Sequence, residues 1–143
     1  MSLLERSKFL LKVIKRYATL DDTTLEIGCG DYRNVNYLKE HGYNVEGIDK
    51  IYGTSIQEFA PKEYDIIFTM STLFLINDDS IFPKIANMAK KFIITIEGET
   101  TKEGNGVIGR DYNEIFSKLG FTQVESEKEV FNIFGVMRVF KKI

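Results

Sequence analysis

Apolar and polar positions along this chain follow two periods, and the switches between them lay out the elements. Leu10, Val13, Ile14 and Tyr17 recur at helical spacing. Ser2-Leu3-Leu4-Glu5 before them has capping-box spacing, so the chain opens with a helix of about four turns. Its other face, Lys8, Lys12, Lys15 and Arg16, reads as solvated rather than anion-binding. Leu25 to Ile27 predicts a short buried strand, Asn34 to Glu40 a helix with Val35 and Leu38 inward, and Gly42 a left-handed stop. Tyr43 to Asp49 predicts a second strand. The apolar run Tyr64 to Met70 suits the middle of a parallel sheet. Asp78 or Asp79 caps a helix with Ile81, Ile85 and Met88 inward and Pro83 in its first turn, where proline is tolerated. Lys91 to Glu97 is the next strand, followed by a glycine-rich loop over 98–109. Asp111 caps a helix with Tyr112, Ile115, Phe116 and Leu119 inward, ended by Gly120. "FTQVES" and "IFGVMRVF" follow with no helix between them, so they pair antiparallel.

One connection is too short. A parallel crossover takes about a dozen residues, yet only Lys50, Ile51, Tyr52 and Gly53 separate Asp49 from Thr54. The third strand of an alternating α/β order is therefore reduced or absent there, and 51–63 runs mostly as coil with one helical turn. The whole pattern is an α/β sheet of parallel strands ending in an antiparallel pair.

Composition narrows the class. The 143 residues suit a single domain, 1–143, and 43% hydrophobic residues suffice for a core. No apolar run approaches the roughly 20 residues of a membrane span. A formal charge of −2 disfavours nucleic acid as the partner. The lone Cys29 permits no internal disulfide, and the charged N-terminus lacks a signal-peptide pattern; both point to the cytoplasm. No cluster has metal-ligand spacing.

The chemistry concentrates in "LEIGCGDYRNV", Leu25 to Val35. Gly28 and Gly30 permit a sharp turn at a strand exit, where open α/β sheets bind ligands. Asp49 ends the second strand 19 residues after Gly30, the distance of an acid that bonds ribose hydroxyls. Arg33 occupies the last position of the dinucleotide pattern G-x-G-x-x-G, which argues against a nicotinamide oxidoreductase. The P-loop ending is missing as well. The spacing that fits is acidic-x-Gly-x-Gly, from Glu26 to Gly30.

On these residues the chain resembles the class I S-adenosylmethionine-dependent methyltransferases, particularly the small metabolite-type ones. "GYNVEGIDK" is similar to their second strand with its ribose-binding acid, "EYDIIFTMSTLFLIND" to the strand leading to the acceptor site, and "GRDYNEIFSKLGFTQVE" and "VMRVFKK" to the late helix and last strands. The resemblance implies a Rossmann-like methyltransferase sheet ordered 3-2-1-4-5-7-6, strand 7 antiparallel, with helices on both faces. It implies that Gly28, Cys29 and Gly30 pass under the methionine part of S-adenosylmethionine, with Tyr32 at that pocket. Glu26 would hold the amino group and Asp49 the ribose. Lys50 or Ile51 would lie beside the adenine, with Ser55 and Ile56 at its edge, and Thr69 and Met70 would line the cofactor. Thr72, Phe74, Leu75, Glu97 and Arg110 are the candidate acceptor-side residues, with an acceptor wall expected over Ser71 to Ile76, Val107 to Tyr112 and Phe131 to Phe134, made apolar by Leu73, Phe74, Leu75, Val107, Ile108, Phe131 and Phe134. The first helix, 1–18, either covers the cofactor as a lid or packs on the sheet.

The chain departs from the family at three points. Ser55 stands where an acid is common, Phe74-Leu75 where many relatives carry Glu-His, and Tyr32 where many have a third glycine. Were the Tyr32 ring to fill the pocket, no cofactor would bind. Methyl transfer is an in-line displacement driven mainly by proximity, and a general base is optional. His41 reads as structural, and Glu97 and Glu99 as solvated loop carboxylates ahead of any acceptor-side role. The implied function is methyl transfer to a small-molecule acceptor; the alternative is a catalytically silent cofactor-binding regulatory or partner subunit.

Overall fold

The computed structural model describes residues 1–100, 106–131 and 135–143. In the first helix, α1 (Leu3–Tyr17), the Ser2 hydroxyl accepts the Glu5 N–H at 3.2 Å, as the capping box requires. Then come β1 (Thr23–Ile27), α2 (Arg33–Glu40), β2 (Asn44–Ile48), β3 (Tyr64–Met70) and α3 (Ile81–Met88). β4 (Ala89–Gly98), α4 (Tyr112–Ser117), β5 (Phe121–Lys128) and β6 (Gly135–Lys142) complete the chain. The cap of α3 differs from expectation. Ser80, not Asp78 or Asp79, precedes its first turn. Asp78 Oδ1 instead accepts the Ser80 N–H at 3.0 Å and the Ser80 hydroxyl at 2.6 Å, closing the turn before the helix. Ile133 and Phe134, expected in the last strand, lie outside the described residues, as do 101–105 of the glycine-rich loop.

The sheet order is β2-β1-β3-β4-β6-β5. β1 pairs parallel with β2 and β3, and β3 with β4; β6 runs antiparallel to both β4 and β5. This is the expected order without its outermost strand: among the described residues nothing pairs beyond β2. After Ile48 the chain makes only a short 3-10 turn, Lys50–Tyr52, before heading to β3, and there is no crossover to bring a parallel strand back.

Strand side chains alternate between faces, and each face has its own core. Ile66, Phe68, Ile94 and Ile96 meet Leu10, Val13 and Ile14 of α1 and Val35 and Leu38 of α2. Leu25, Ile27, Ile67 and Ile93 meet Ile81 and Ile85 of α3 and Tyr112 and Phe116 of α4. Leu10, Val13 and Ile14 are fully buried, each worth about 1.5–3 kcal/mol of burial. So α1 is a layer of the fold packed on the sheet. The alternation also places two buried acids. Glu26, between Leu25 and Ile27, turns to the α1/α2 face; Glu97, after Ile96, turns to the α3/α4 face. No helix among the described residues is long and apolar enough to cross a membrane.

Candidate cofactor-binding site

The turn after β1 is built on left-handed backbone, with φ of 73° at Gly28 and 57° at Gly30, which glycine adopts freely. The Gly28 and Cys29 N–H groups donate to the Ile48 carbonyl at 2.8 and 3.0 Å, hooking the turn over the end of β2. Gly30 N–H donates to Asp49 Oδ2 at 2.9 Å, and Ile51 N–H to Oδ1 at 3.0 Å. Each carboxylate oxygen can accept two hydrogen bonds and here accepts one, so one position on each remains for a diol. A Cβ on Gly28 would lie 2.2 Å from Thr72 Oγ1: the segment after β3 rests directly on this glycine.

Beside the turn opens a cleft of about 400 Å³, within the usual range for small-ligand sites. Ile27, Gly28, Ile48, Asp49 and Lys50 form one side; Thr54, Ser55, Ile56 and Gln57 line the next stretch; Ser71, Thr72, Leu75, Ile76, Asn77 and Asp78 form the opposite wall. Of the residues predicted for cofactor or acceptor, Gly28, Asp49, Lys50, Ser55, Ile56, Ser71, Thr72, Leu75 and Ile76 meet here. Ile27, Ile48, Thr54, Gln57, Asn77 and Asp78 were not foreseen. The two isoleucines read as ordinary strand core, Thr54 and Gln57 sit in a segment with no motif, and Asn77 and Asp78 end the stretch compared with the family's acceptor-side strand without a role of their own; their position past strand ends could have marked them.

The remaining predicted residues lie around the cleft rather than in its lining. Ile51 is 65% exposed at the rim. Cys29 and Thr69 are buried, and burial pushes the Cys29 thiol up to about 11, away from nucleophilic use. Tyr32 adopts φ 65° at the start of α2, and its ring lies against Tyr52, centroids 4.9 Å apart. It therefore does not fill the cleft. Met70, on the α1/α2 face, receives Asn34 Nδ2 at 3.5 Å on its sulfur. Glu26 is 2% exposed. Its Oε2 accepts from Asn34 Nδ2 at 3.1 Å, and its Oε1 is buried without a partner. Burial pushes this carboxyl up to about 7. A cationic group at Oε1 would satisfy the orphaned oxygen and restore the charged form.

Glu97 and Arg110 fasten the opposite wall. Glu97 is 1% exposed, not a solvated loop carboxylate. It accepts the Thr72 and Phe74 N–H groups at 2.9 and 3.2 Å, while burial pushes it up to about 7. Arg110 donates to the Leu73 carbonyl at 2.7 Å and to the Ile76 carbonyl, pairs with Asp79 at 3.0 Å, and lies over the Phe82 ring. Its side chain is 6% exposed, with its polar atoms turned to the chain itself. Phe74 accepts the Ile108 N–H at 2.8 Å through its carbonyl. Glu99 is also not solvated: Arg138 grips it through two bonds of 2.8 and 2.9 Å. Leu73 belongs to the core and Phe131 packs on Phe9, so neither lines the cleft; Phe134 lies outside the described residues. His41 sits at the other end of α2, its Nδ1 2.8 Å from the Tyr37 carbonyl.

No family model matches the chain, and no curated protein matches it in sequence. Solved structures do match in three dimensions. Magnesium protoporphyrin IX methyltransferase from Synechocystis PCC 6803, with bound S-adenosylhomocysteine, superposes with a TM-score of 0.81 at 11% identity, over 97% of this chain and 82% of that one. Geranyl diphosphate C-methyltransferase from Streptomyces coelicolor A3(2), also complexed with S-adenosylhomocysteine, gives 0.77 at 11% identity, over 97% and 79%. 1,6-Didemethyltoxoflavin-N1-methyltransferase from Burkholderia thailandensis gives 0.74 at 12% identity, over 96% and 76%. The fold is that of the class I S-adenosylmethionine-dependent methyltransferases.

Proposed function

We propose that the chain binds S-adenosylmethionine in this cleft and transfers its methyl group to a small-molecule acceptor. The observation that carries this is the pairing of two unlike acidic sites across one glycine turn. Asp49 keeps one acceptor position free on each oxygen, which suits ribose hydroxyls. Glu26, on the other face of the sheet, keeps a buried orphaned oxygen, which suits an ammonium group. Gly28 and Gly30 between them leave bare backbone for a ligand that runs from one to the other. Ile27, Ile48 and Ile56 on one side and Leu75 and Ile76 on the other make an apolar slot for a purine. The three neighbours described above, all crystallised with S-adenosylhomocysteine and acting on different small molecules by name, support the same ligand.

Held by Asp49, Glu26 and the glycine turn, S-adenosylmethionine would supply an electrophilic methyl group with a neutral thioether as leaving group, and a proton lost by the acceptor would pass to solvent. The chain's part is to hold, orient and desolvate. Asp49 and the slot fix the adenosine, Glu26 fixes the amino-acid end, and the wall fastened by Glu97 and Arg110 sets where the acceptor approaches. Holding the partners at attack distance supplies much of the rate in such a displacement. Incubating the chain with S-adenosylmethionine and a panel of O-, N-, S- and C-nucleophilic metabolites, read by mass spectrometry, tests this. A +14 Da product with stoichiometric S-adenosylhomocysteine is the expected result. Cofactor binding with no turnover on any acceptor class would leave a binding protein instead.

A further inference from the structure

Arg33 stands where a dinucleotide loop has its last glycine, and its guanidinium points across the α1/α2 face. Nη1 donates to the Leu3 carbonyl and to Ser7 Oγ, both at 2.6 Å. Ser7 Oγ lies 2.8 Å from Asn34 Oδ1, and Asn34 Nδ2 lies 3.1 Å from Glu26 Oε2. Ser7, Asn34 and Glu26 are all nearly fully buried. We infer that Arg33, Ser7 and Asn34 form a one-way hydrogen-bond relay that holds Glu26 with its free oxygen aimed at the cofactor's ammonium, so that the first turn of α1 is part of the cofactor site. This rests on the methyltransferase reading above.

The direction of the relay follows from the donor inventory. Arginine only donates, so Ser7 Oγ receives the Arg33 proton and turns its own proton to Asn34. Asn34 then receives on Oδ1, which fixes the amide with Nδ2 toward Glu26. A carboxylate only accepts, so every link is satisfied in one orientation alone. Flipping the Asn34 amide would set two acceptors, Asn34 Oδ1 and the Glu26 carboxylate, against each other. Asn34, Ser7 and Arg33 are thus positioning residues: they leave the ligand to Glu26 and decide which of its oxygens is free. Burial is the largest influence on Glu26 and, with the nearby Asp31 and Asp49, outweighs the Asn34 hydrogen bond and the Arg33 charge that favour the carboxylate.

Calorimetric titration of the full chain with S-adenosylhomocysteine, from pH 5.5 to 8.5, tests the relay. Affinity is expected to fall about tenfold per pH unit below a midpoint near 7, because an ammonium ligand requires the ionised carboxyl. Glu26→Gln should flatten this dependence. Asn34→Leu removes a donor that favours the carboxylate, so the midpoint should rise by about one unit. Ser7→Ala, which unlocks the amide while keeping it, should move the midpoint the same way by less, and it carries the test should Asn34→Leu fail to fold. A purely packing role for Asn34 or Ser7 would lower affinity equally at every pH. A wild-type profile without a midpoint, or midpoints unmoved in both variants, overturns the relay while leaving the cofactor reading intact. No binding at any pH overturns the cofactor reading itself.

Discussion

At the scale of single residues, Gly47 explains how the turn tolerates Arg33. The last glycine of a dinucleotide loop permits close helix–strand packing from the helix side. Here the strand side permits it: a Cβ on Gly47 would lie 2.8 Å from both Cys29 Cβ and Val35 Cγ2. Gly47→Ala should therefore cost about 1–3 kcal/mol by overpacking, measurable in urea unfolding. Gly28→Ala carries two penalties, a positive φ and a collision with the branched end of Thr72. It should cost at least about 2 kcal/mol and push Thr72 off the turn. The place of Asp49 was legible from spacing, because the length of one strand–helix–strand unit sets how far the end of β2 lies from the glycines, and its carboxylate does meet the turn. Gly47 was not, because its reason is two neighbours brought against it by folding. The direction of the Tyr32 ring was likewise hidden, since its partner, Tyr52, comes from the shortened connection after β2.

At the scale of elements, periodicity revealed nearly every helix and strand, and a count of intervening residues revealed the missing one. The wall of the cleft was not legible. Residues 72–76 have no strong local preference and are held from outside, by Glu97 from 25 residues away and Arg110 from 37. Nothing in the local pattern signals that an arginine at a helix start will bridge two carbonyls of another loop. Arg110→Ala should leave the Leu73 and Ile76 carbonyls without these donors and lower stability by about 2–4 kcal/mol. Affinity for S-adenosylhomocysteine should fall with it, since Leu75 and Ile76 belong to the slot. Arg110→Lys should recover little of either, because an ammonium lacks the planar fork that reaches both carbonyls and Asp79.

At the scale of the whole molecule, two buried acids on opposite faces of the sheet set an unusual pH response. Glu26 and Glu97 are both raised from an ordinary value of 4.5 to about 7. A raised acid contributes stability in full below its unfolded value and loses it as pH rises through its folded value. Asp22, Glu46 and Asp78 are shifted the other way, and their contribution is lost only in more acidic solution. Between pH 5.5 and 8 the unliganded protein should therefore melt at higher temperature as pH falls, and Glu97→Gln should remove part of that slope. Cofactor affinity should run in the opposite direction, because Glu26 must ionise to hold an ammonium. The central claim, that this cleft is a S-adenosylmethionine site, is tested most directly by titrating S-adenosylhomocysteine into the full chain at pH 8, beside the Asp49→Ala variant. The expected result is one-to-one binding by the wild type, weakened roughly 10–100-fold by loss of the ribose acceptor. No heat of binding at millimolar ligand, or equal affinity in the variant, would contradict it.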